Sequence, residues 1–275
     1  MGNKVAAIES VGFNWAEKGH DYDPYLRSFL QGVGGEESTW EEQQATDSTL
    51  VIRGLGGGSQ KAIKQCWKTG RPFYAVDTGY FGNAKHKTWH RITYNALQNM
   101  EDIIERDESR LKIQLGDWKD IYNPFKPGRK ILVCPPSDKV MNLFNQGTAE
   151  QWTTNIVEKI KTLTDRPIEI RMKPIRSERV TNKTIQQALA DDVHCLITYN
   201  SIAATEALME GKPAITLGPN AAQLICETNL EKIEHPRIPT EDEMYAFIKH
   251  LSYAQFTQNE MADGTAWKIL QGNNI

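Results

Sequence analysis

Twice in this chain a short apolar run passes through a small polar or glycine-rich turn into a helix-forming stretch, which is then halted by glycine, a cation and proline. In the clearer copy, Val193–Thr198 (VHCLIT) reads as a buried strand and Ile202–Glu210 is rich in Ala, Leu, Met and Glu. Gly211 then stands where a helix C-cap belongs, and Pro213 forbids continuation. The other copy runs LVIRGLGGG from Leu50 to Gly58, a helical Ser59–Thr69, the stop Gly70-Arg71-Pro72, and a strand Phe73–Val76. A strand that enters a helix and returns as another strand crosses over, which makes the pair parallel and requires helices on the sheet faces. The class is α/β. Two such units about 140 residues apart predict two Rossmann-like lobes facing a cleft rather than one continuous sheet.

The stretch NPFKPGR, 123–129, has two prolines and a glycine in a polar context, and a boundary there divides the chain into 1–125 and 126–275. In the second part Lys130–Cys134 reads as a strand ending in Pro135-Pro136-Ser137-Asp138. Thr148-Ala149-Glu150-Gln151 is a capping box that opens a helix reaching about Leu163, and Ile168–Met172 is the next strand, with Lys173-Pro174 at its end. Thr184–Ala190 reads as a short helix, Thr240–Glu243 as another capping box, and the remainder as helical to about Leu270. In the first part Val5–Ile8 reads as a strand ending at Glu9. Ligands collect at the carboxyl ends of parallel strands. Those ends are 135–138, 171–174 and 199–201.

Of 275 residues, 39% are hydrophobic and 24% charged, the balance of a globular chain, and no segment approaches a membrane span. The opening MGNKVAAIES has neither a signal-peptide arrangement nor a myristoylation pattern, so a cytoplasmic location is expected. The scattered Cys66, Cys134, Cys195 and Cys226 suit reduced core positions better than disulfides or a metal site. Charge is uneven: residues 1–52 carry three Lys/Arg against nine Asp/Glu, whereas 53–95 carry eight Lys/Arg against Asp77. That basic stretch also holds Trp67, Phe73, Tyr74, Tyr80, Phe81, Trp89 and Tyr94. Cations interleaved with aromatic rings suit a polyanion with stackable bases, which is nucleic acid. The plainer account makes Lys61, Lys64 and Lys68 a solvated helix face and the aromatics core, but it fits the cationic GNAKHK, 82–87, less well.

The turn Tyr199-Asn200-Ser201 sets two small polar side chains and free backbone N–H groups at a helix N-terminus, where a phosphate is stabilised; the plainer account is a cap and nothing more. GLGGGSQ fits neither a dinucleotide fingerprint nor a P-loop and reads as backbone that a ligand or the other lobe approaches, at Gly56 and Gly57.

The string TYNSIAATEALMEGKPAITLG, from Thr198 to Gly218, resembles the donor-domain signature of capsule-polysaccharide-type glycosyltransferases. YAQFTQNEMADGTAWKIL, from Tyr253 to Leu270, resembles the closing segment of phage-encoded, DNA-modifying members of that GT-B-like group. FYAVDTGYFGN and WHRITYNALQN, between Phe73 and Asn99, resemble a block of the same phage proteins. The resemblance implies an acceptor-binding N-terminal lobe, a donor-binding C-terminal lobe and a last helix crossing back onto the first. It implies a nucleotide sugar, uridine-diphosphate-linked, as co-substrate, with no cofactor and a hydroxymethylated DNA base as acceptor. A polysaccharide acceptor, or a non-catalytic nucleotide- or DNA-binding role, keeps the same fold.

A donor diphosphate leaves when its charge is neutralised, and without a metal this falls to amides, hydroxyls and cations. The dispersed histidines and the lack of D-x-D speak against a built-in metal site. The donor candidates are Ser137, Arg171, Lys173, Tyr199, Asn200, Ser201 and Glu206. By resemblance Glu206 meets the ribose; otherwise it is an ordinary helix Glu. The acceptor candidates are Gly56, Gly57, Tyr80, Lys85, Lys87 and Arg91. A base must take the acceptor proton, and Asp77, the one acid in a cationic neighbourhood, is the first candidate, with His90 and Glu9 in reserve. Asp77 could instead only cap the turn Thr78-Gly79.

Overall fold

The computed structural model describes residues 5–8, 23–83, 88–173 and 183–272. Contacts cluster into two compact units, Met1–Asn99 with Tyr253–Ile275, and Met100–Ser252. Residues 100–125 thus group with the second unit and the C-terminal residues with the first, a partition that differs from a single cut at 125/126.

In the first unit the chain forms β1 (Val5–Ile8), α1 (Pro24–Val33), β2 (Glu36–Ser38), α2 (Trp40–Gln43), β3 (Thr49–Arg53), α3 (Gly57–Thr69), β4 (Phe73–Thr78) and β5 (His90–Tyr94). The second unit holds α4 (Ser109–Leu115), α5 (Trp118–Ile121), β6 (Lys130–Cys134), α6 (Asp138–Leu143), α7 (Ala149–Lys161) and β7 (Ile168–Ile170). It continues with α8 (Ile185–Leu189), β8 (Val193–Thr198), α9 (Ala203–Met209), β9 (Ala214–Thr216) and α10 (Glu241–Ser252). The chain then returns to the first unit as β10 (Gln255–Phe256), α11 (Gln258–Ala262) and α12 (Thr265–Leu270).

Among the described residues the first unit has one six-stranded sheet, ordered β10-β5-β4-β3-β1-β2. Strands β2, β1, β3 and β4 run parallel, while β5 is antiparallel to β4 and β10 to β5. Helix α3 shows why the sequence pattern works. Ala62, Ile63 and Cys66 are buried, Lys61, Lys64 and Lys68 face solvent as the plainer account expected, and Gly70 at φ 71° donates its N–H to Cys66 O. Helix α1 begins at a buried Asp23 whose carboxylate accepts from the Tyr25 and Leu26 amides, and it sends Leu26, Phe29 and Leu30 into the core. Gly32 lets α11 approach, since a Cβ there would meet Met261 O at 2.0 Å.

The expected continuous C-terminal helix is interrupted by β10. Thr257 caps α11 through a reciprocal box with Glu260, which requires extended backbone at Thr257, and the fully buried Phe256 joins the core just before it.

The second unit has a four-stranded parallel sheet, β7-β6-β8-β9. Its core gathers Ile131, Val133, Cys195, Ile197 and Ile215 with Met141, Trp152 and Ile160. The capping boxes at Thr148 and at Thr240/Glu243 form as expected, and a third at Thr184/Gln187 opens α8. Strand β7 ends at Ile170 rather than at Met172. All four cysteines are buried and unbridged, and burial pushes the Cys134 and Cys195 thiols up to about 12.

Candidate functional site

The carboxyl edge of the four-stranded sheet is built around Tyr199, Asn200 and Ser201. Tyr199 is core: its ring meets Phe144 and Trp152 edge-on at centroid distances of 5.7 and 6.4 Å, and desolvation raises its hydroxyl above the ordinary tyrosine range. A Cβ on Gly218 would strike that ring at 2.5 to 2.6 Å, so only glycine fits there. Asn200 donates its side-chain amide to Pro219 O. Ser201 Oγ accepts from Ala203 N at 3.2 Å, a local turn bond ahead of the N-cap Ile202, which itself makes no side-chain cap bond to α9. The Ser201 carbonyl accepts from Ala204 N at 3.3 Å and from the Asn220 side chain at 2.9 Å.

On the same sheet edge, with β6 between them and this turn, Arg171 and Lys173 follow β7. Arg171 is half-buried, its backbone N–H donating to Val133 O at 2.8 Å and its guanidinium to Lys183 O at 3.2 Å. Lys173 is exposed. Glu206, half-buried on α9, accepts from Gln186 Nε2 at 3.3 Å. Burial pushes its carboxyl up to about 7 against the opposing pull of the Gln186 bond and of the Arg171 and Lys173 charges. A carboxyl that holds its proton near neutrality can accept from or donate to a ligand hydroxyl. Ser137 is exposed just ahead of α6; its carbonyl accepts from Val140 N and Met141 N while its hydroxyl makes no cap bond. Arg171 and Lys173 thus both lie within electrostatic reach of Glu206.

At the carboxyl edge of the six-stranded sheet the expected residues lie differently. Asp77 pairs in register with Arg91; its Oδ2 accepts from Arg91 Nη2 at 2.8 Å and its Oδ1 from Thr78 N at 2.7 Å. Its side chain stays 50% exposed while that of Arg91 is 8% exposed. Arg91 also donates to Leu97 O and Thr78 O, and its guanidinium lies 5.6 Å from the Tyr80 ring centre. Tyr80 is 1% exposed, its hydroxyl accepts from Asn99 N at 2.6 Å, and desolvation pushes it up to about 12. Tyr80 and Arg91, expected on an acceptor surface, are thus both buried, with the guanidinium engaged by Asp77, Thr78 O and Leu97 O. His90 is fully buried, its ring 4.0 Å from that of Tyr25. Gly56 is the N-cap of α3 and Gly57 its first residue. Glu9, Lys85 and Lys87 lie outside the described residues.

Several residues that hold these edges together carry no signal in single-sequence reading. Asp23 receives Arg53 at 2.8 Å, and the Arg53 guanidinium lies 4.2 Å from the Tyr25 ring centre. Gln255 accepts from Tyr80 N at 2.6 Å and donates to Phe81 O at 3.3 Å, joining the segments 73–99 and 253–270. Asn220 had a weak signal, standing after Gly218-Pro219 at the end of a strand, where an Asx turn is common. Among the described residues, no group of three or more His, Cys, Asp and Glu could hold a metal ion, and no helix is long and apolar enough to cross a membrane.

No family model and no curated protein matches the chain. Among solved structures it is similar to Thermosulfurimonas dismutans KpsC, beta Kdo 2,7 transferase, with 10% identity and a TM-score of 0.50 over 99% of this chain and 100% of that one. It is also similar to the beta Kdo 2,4 transferase of KpsC from the same organism, with 14% identity and a TM-score of 0.46 over 92% and 99%. At this identity the likeness to the 2,7 transferase is one of fold, and the fold is GT-B-like: two Rossmann-like α/β units, with the C-terminal segment returned to the first.

Proposed function

We propose that the protein transfers a sugar from a uridine-diphosphate-linked donor to a hydroxymethylated base in DNA, without a metal ion. The observation that carries the donor half is that Arg171 and Lys173 lie in electrostatic reach of Glu206 at the carboxyl edge that also bears the 199–201 turn, the edge where parallel sheets bind ligands. In this reading the acceptor oxygen attacks the anomeric carbon and its proton passes to Asp77. The bond from that carbon to the diphosphate oxygen breaks, and the charge that develops on the leaving diphosphate is met by Arg171, Lys173 and the Ser201 hydroxyl. Glu206 meets a donor hydroxyl. His90 and Glu9 are the reserve bases.

The DNA acceptor is supported by the cationic stretch 53–95, where Trp67 and Tyr94 remain 39% and 47% exposed near the solvent-facing lysines of α3. A polysaccharide acceptor is the second reading, favoured by the inward turn of Tyr80 and Arg91 and suited to a fold shared with a Kdo transferase. Calorimetry with nucleotides and nucleotide sugars, followed by mass spectrometry of hydroxymethylated DNA incubated with each donor, tests the proposal. A mass increase of one sugar per base is expected. Donor binding without transfer to DNA would shift the acceptor to a polysaccharide, and binding without any transfer would indicate a non-catalytic role. Reversing Lys85 and Lys87 to Glu is expected to weaken DNA binding and flatten its log–log salt dependence by about one for each lost phosphate contact.

A further inference from the structure

The Arg91 guanidinium is the fixed point of the turn that follows β4. Arg91 lies on β5 opposite Asp77, so both side chains stand on one face of the antiparallel pair. Its three nitrogens donate to three different acceptors: Nε to Leu97 O at 3.1 Å, Nη1 to Thr78 O at 2.5 Å and Nη2 to Asp77 Oδ2 at 2.8 Å. The Tyr80 ring, its centre 5.6 Å from the guanidinium, is itself held by the Asn99 N–H on its hydroxyl and by Gln255, which accepts from the Tyr80 amide. Arg91 and Tyr80 are buried, whereas the Asp77 carboxylate at the end of this chain of bonds is half-exposed.

We propose that Arg91 is a positioning residue for Asp77, which it holds in one orientation for taking the acceptor proton. This rests on the reading of Asp77 as the base given above. An aspartate carboxylate turns about two torsions, the outer of them broad, and exposure to solvent fixes neither. Here Oδ1 accepts from Thr78 N at 2.7 Å and Oδ2 from Arg91, so the plane of the group is set from both oxygens. Two backbone carbonyls hold the guanidinium in turn, so the orientation is imposed by the sheet and the turn. A carboxylate oxygen accepts more than one bond, and neither contact bars a proton transfer. A displacement of about 1 Å can cost roughly 10² in rate. Lysine would keep the charge at position 91, but without a planar fork it cannot serve Leu97 O, Thr78 O and Asp77 together in this geometry.

Turnover per folded molecule, read as uridine diphosphate released from its sugar conjugates with hydroxymethylated DNA or an oligosaccharide as acceptor, is compared in the parent, Arg91→Lys, Asp77→Asn and the double variant. Arg91→Lys is expected to lower kcat by about 10², with KM for the donor within a few fold. The double variant is expected to be no slower than Asp77→Asn, because Arg91 acts only through the carboxylate. A slow Asp77→Asn beside an Arg91→Lys of parental kcat would overturn the role of Arg91 and leave the base in place. So would an Arg91→Lys that costs its full factor again in the Asp77→Asn background, since the guanidinium would then serve the fold or the substrate directly. Parental turnover in Asp77→Asn would overturn the base reading and this role with it, as would a parent that releases no uridine diphosphate with either acceptor. Should Arg91→Lys not fold, Arg91→Gln, which keeps a donor for Asp77 without the fork, decides between the same outcomes.

Discussion

The carboxyl edges of the two sheets carry similar residue types put to different uses. On the six-stranded sheet the cations are consumed internally: Arg53 meets the buried Asp23, and Arg91 divides its donors among Leu97 O, Thr78 O and Asp77. On the four-stranded sheet, among the described residues, neither Arg171 nor Lys173 forms an ion pair, and the acid near them is held by the amide of Gln186. A paired and buried guanidinium stiffens the edge it occupies, and breaking the pair by removing one partner leaves an uncompensated charge. An exposed Lys beside a half-buried carboxyl has no such commitment. The difference separates an edge organised to hold its own shape from one with cations available to an anionic ligand. Within the aromatic, cationic stretch, Tyr80 and Arg91 are accordingly buried while Trp67 and Tyr94 stay exposed.

The largest effect is expected at Asp77, whose side chain stays half-exposed on the six-stranded edge. Asp77→Asn keeps the shape and the acceptor for Thr78 N but cannot take a proton, so turnover is expected to fall by about 10²–10⁴, with donor and DNA binding within a few fold. The pairing with Arg91 supplies the competing outcome, in which turnover per folded molecule is preserved and stability falls by about 1–3 kcal/mol as the buried guanidinium loses its partner. Steady-state kinetics normalised to folded protein, with a thermal melt alongside, distinguishes the two. The second result would make both edges alike in having no chemistry at Asp77, and the base would then be sought at His90 or Glu9.

The next effect is on stability against pH, and two groups of the second unit have opposite signs. Glu206, faced by Gln186, Arg171, Lys173, Glu210 and Cys134, has its carboxyl raised from 4.5 to about 7. The folded state therefore holds the proton more tightly than the unfolded chain does. Its contribution is present in full below about 4.5 and is lost as the pH rises through about 7. A displacement of that size caps the effect at roughly 3 kcal/mol, and solvent at a half-exposed edge reduces it. His250 is buried, accepts from Ile104 N at 3.2 Å, and is lowered from 6.5 to about 4 by burial and by the Arg106 charge. Its contribution is complete above about 6.5 and is lost as the pH falls towards about 4, again by at most roughly 3 kcal/mol. Urea unfolding from pH 4 to 9 is expected to flatten on the alkaline side in Glu206→Gln and on the acid side in His250→Asn. An unchanged alkaline limb in Glu206→Gln would mean that its carboxyl is already ionised at neutral pH.

Much of the second unit was legible because its signals are local. The strands Lys130–Cys134 and Val193–Thr198 are bounded as read, and the boxes at Thr148 and Thr240 announce their helices within four residues. The first unit is legible only in its parallel half. Strands β5 and β10 lie beyond local reading, since β10 is two residues long and acquires its extended form by pairing with β5 across about 160 residues of chain. The same range separates Gln255 from Tyr80, so the two blocks could be recognised separately without showing that they touch. At the carboxyl edge of the four-stranded sheet, the places of Arg171, Lys173, Asn200 and Ser201 just after strands, and of Glu206 on the following helix, were legible locally. Asn220 was not singled out, because an Asn after Gly-Pro reads as an ordinary turn until its amide is seen to donate across to Ser201.

The smallest effects test whether the 199–201 turn serves a ligand or only its helix. Ser201→Ala removes the acceptor for Ala203 N, a capping loss of about 1 kcal/mol, while the Ser201 carbonyl bonds to Ala204 and Asn220 survive because they belong to the backbone. If the hydroxyl also meets a phosphate, donor affinity should fall by about tenfold, the equivalent of one further charge-assisted bond. Lys173→Ala is the complementary change: the side chain is exposed, so the melting temperature should hold while the same donor weakens by a similar factor. A melting loss in Ser201→Ala with donor affinity intact would make Ser201 a cap alone. An indifferent Lys173→Ala would leave the four-stranded edge as self-contained as the six-stranded one. The decisive pattern is therefore a crossed one, in which the helix-capping variant loses both stability and donor while the exposed cation loses donor alone, because a purely structural turn predicts no loss of ligand in either.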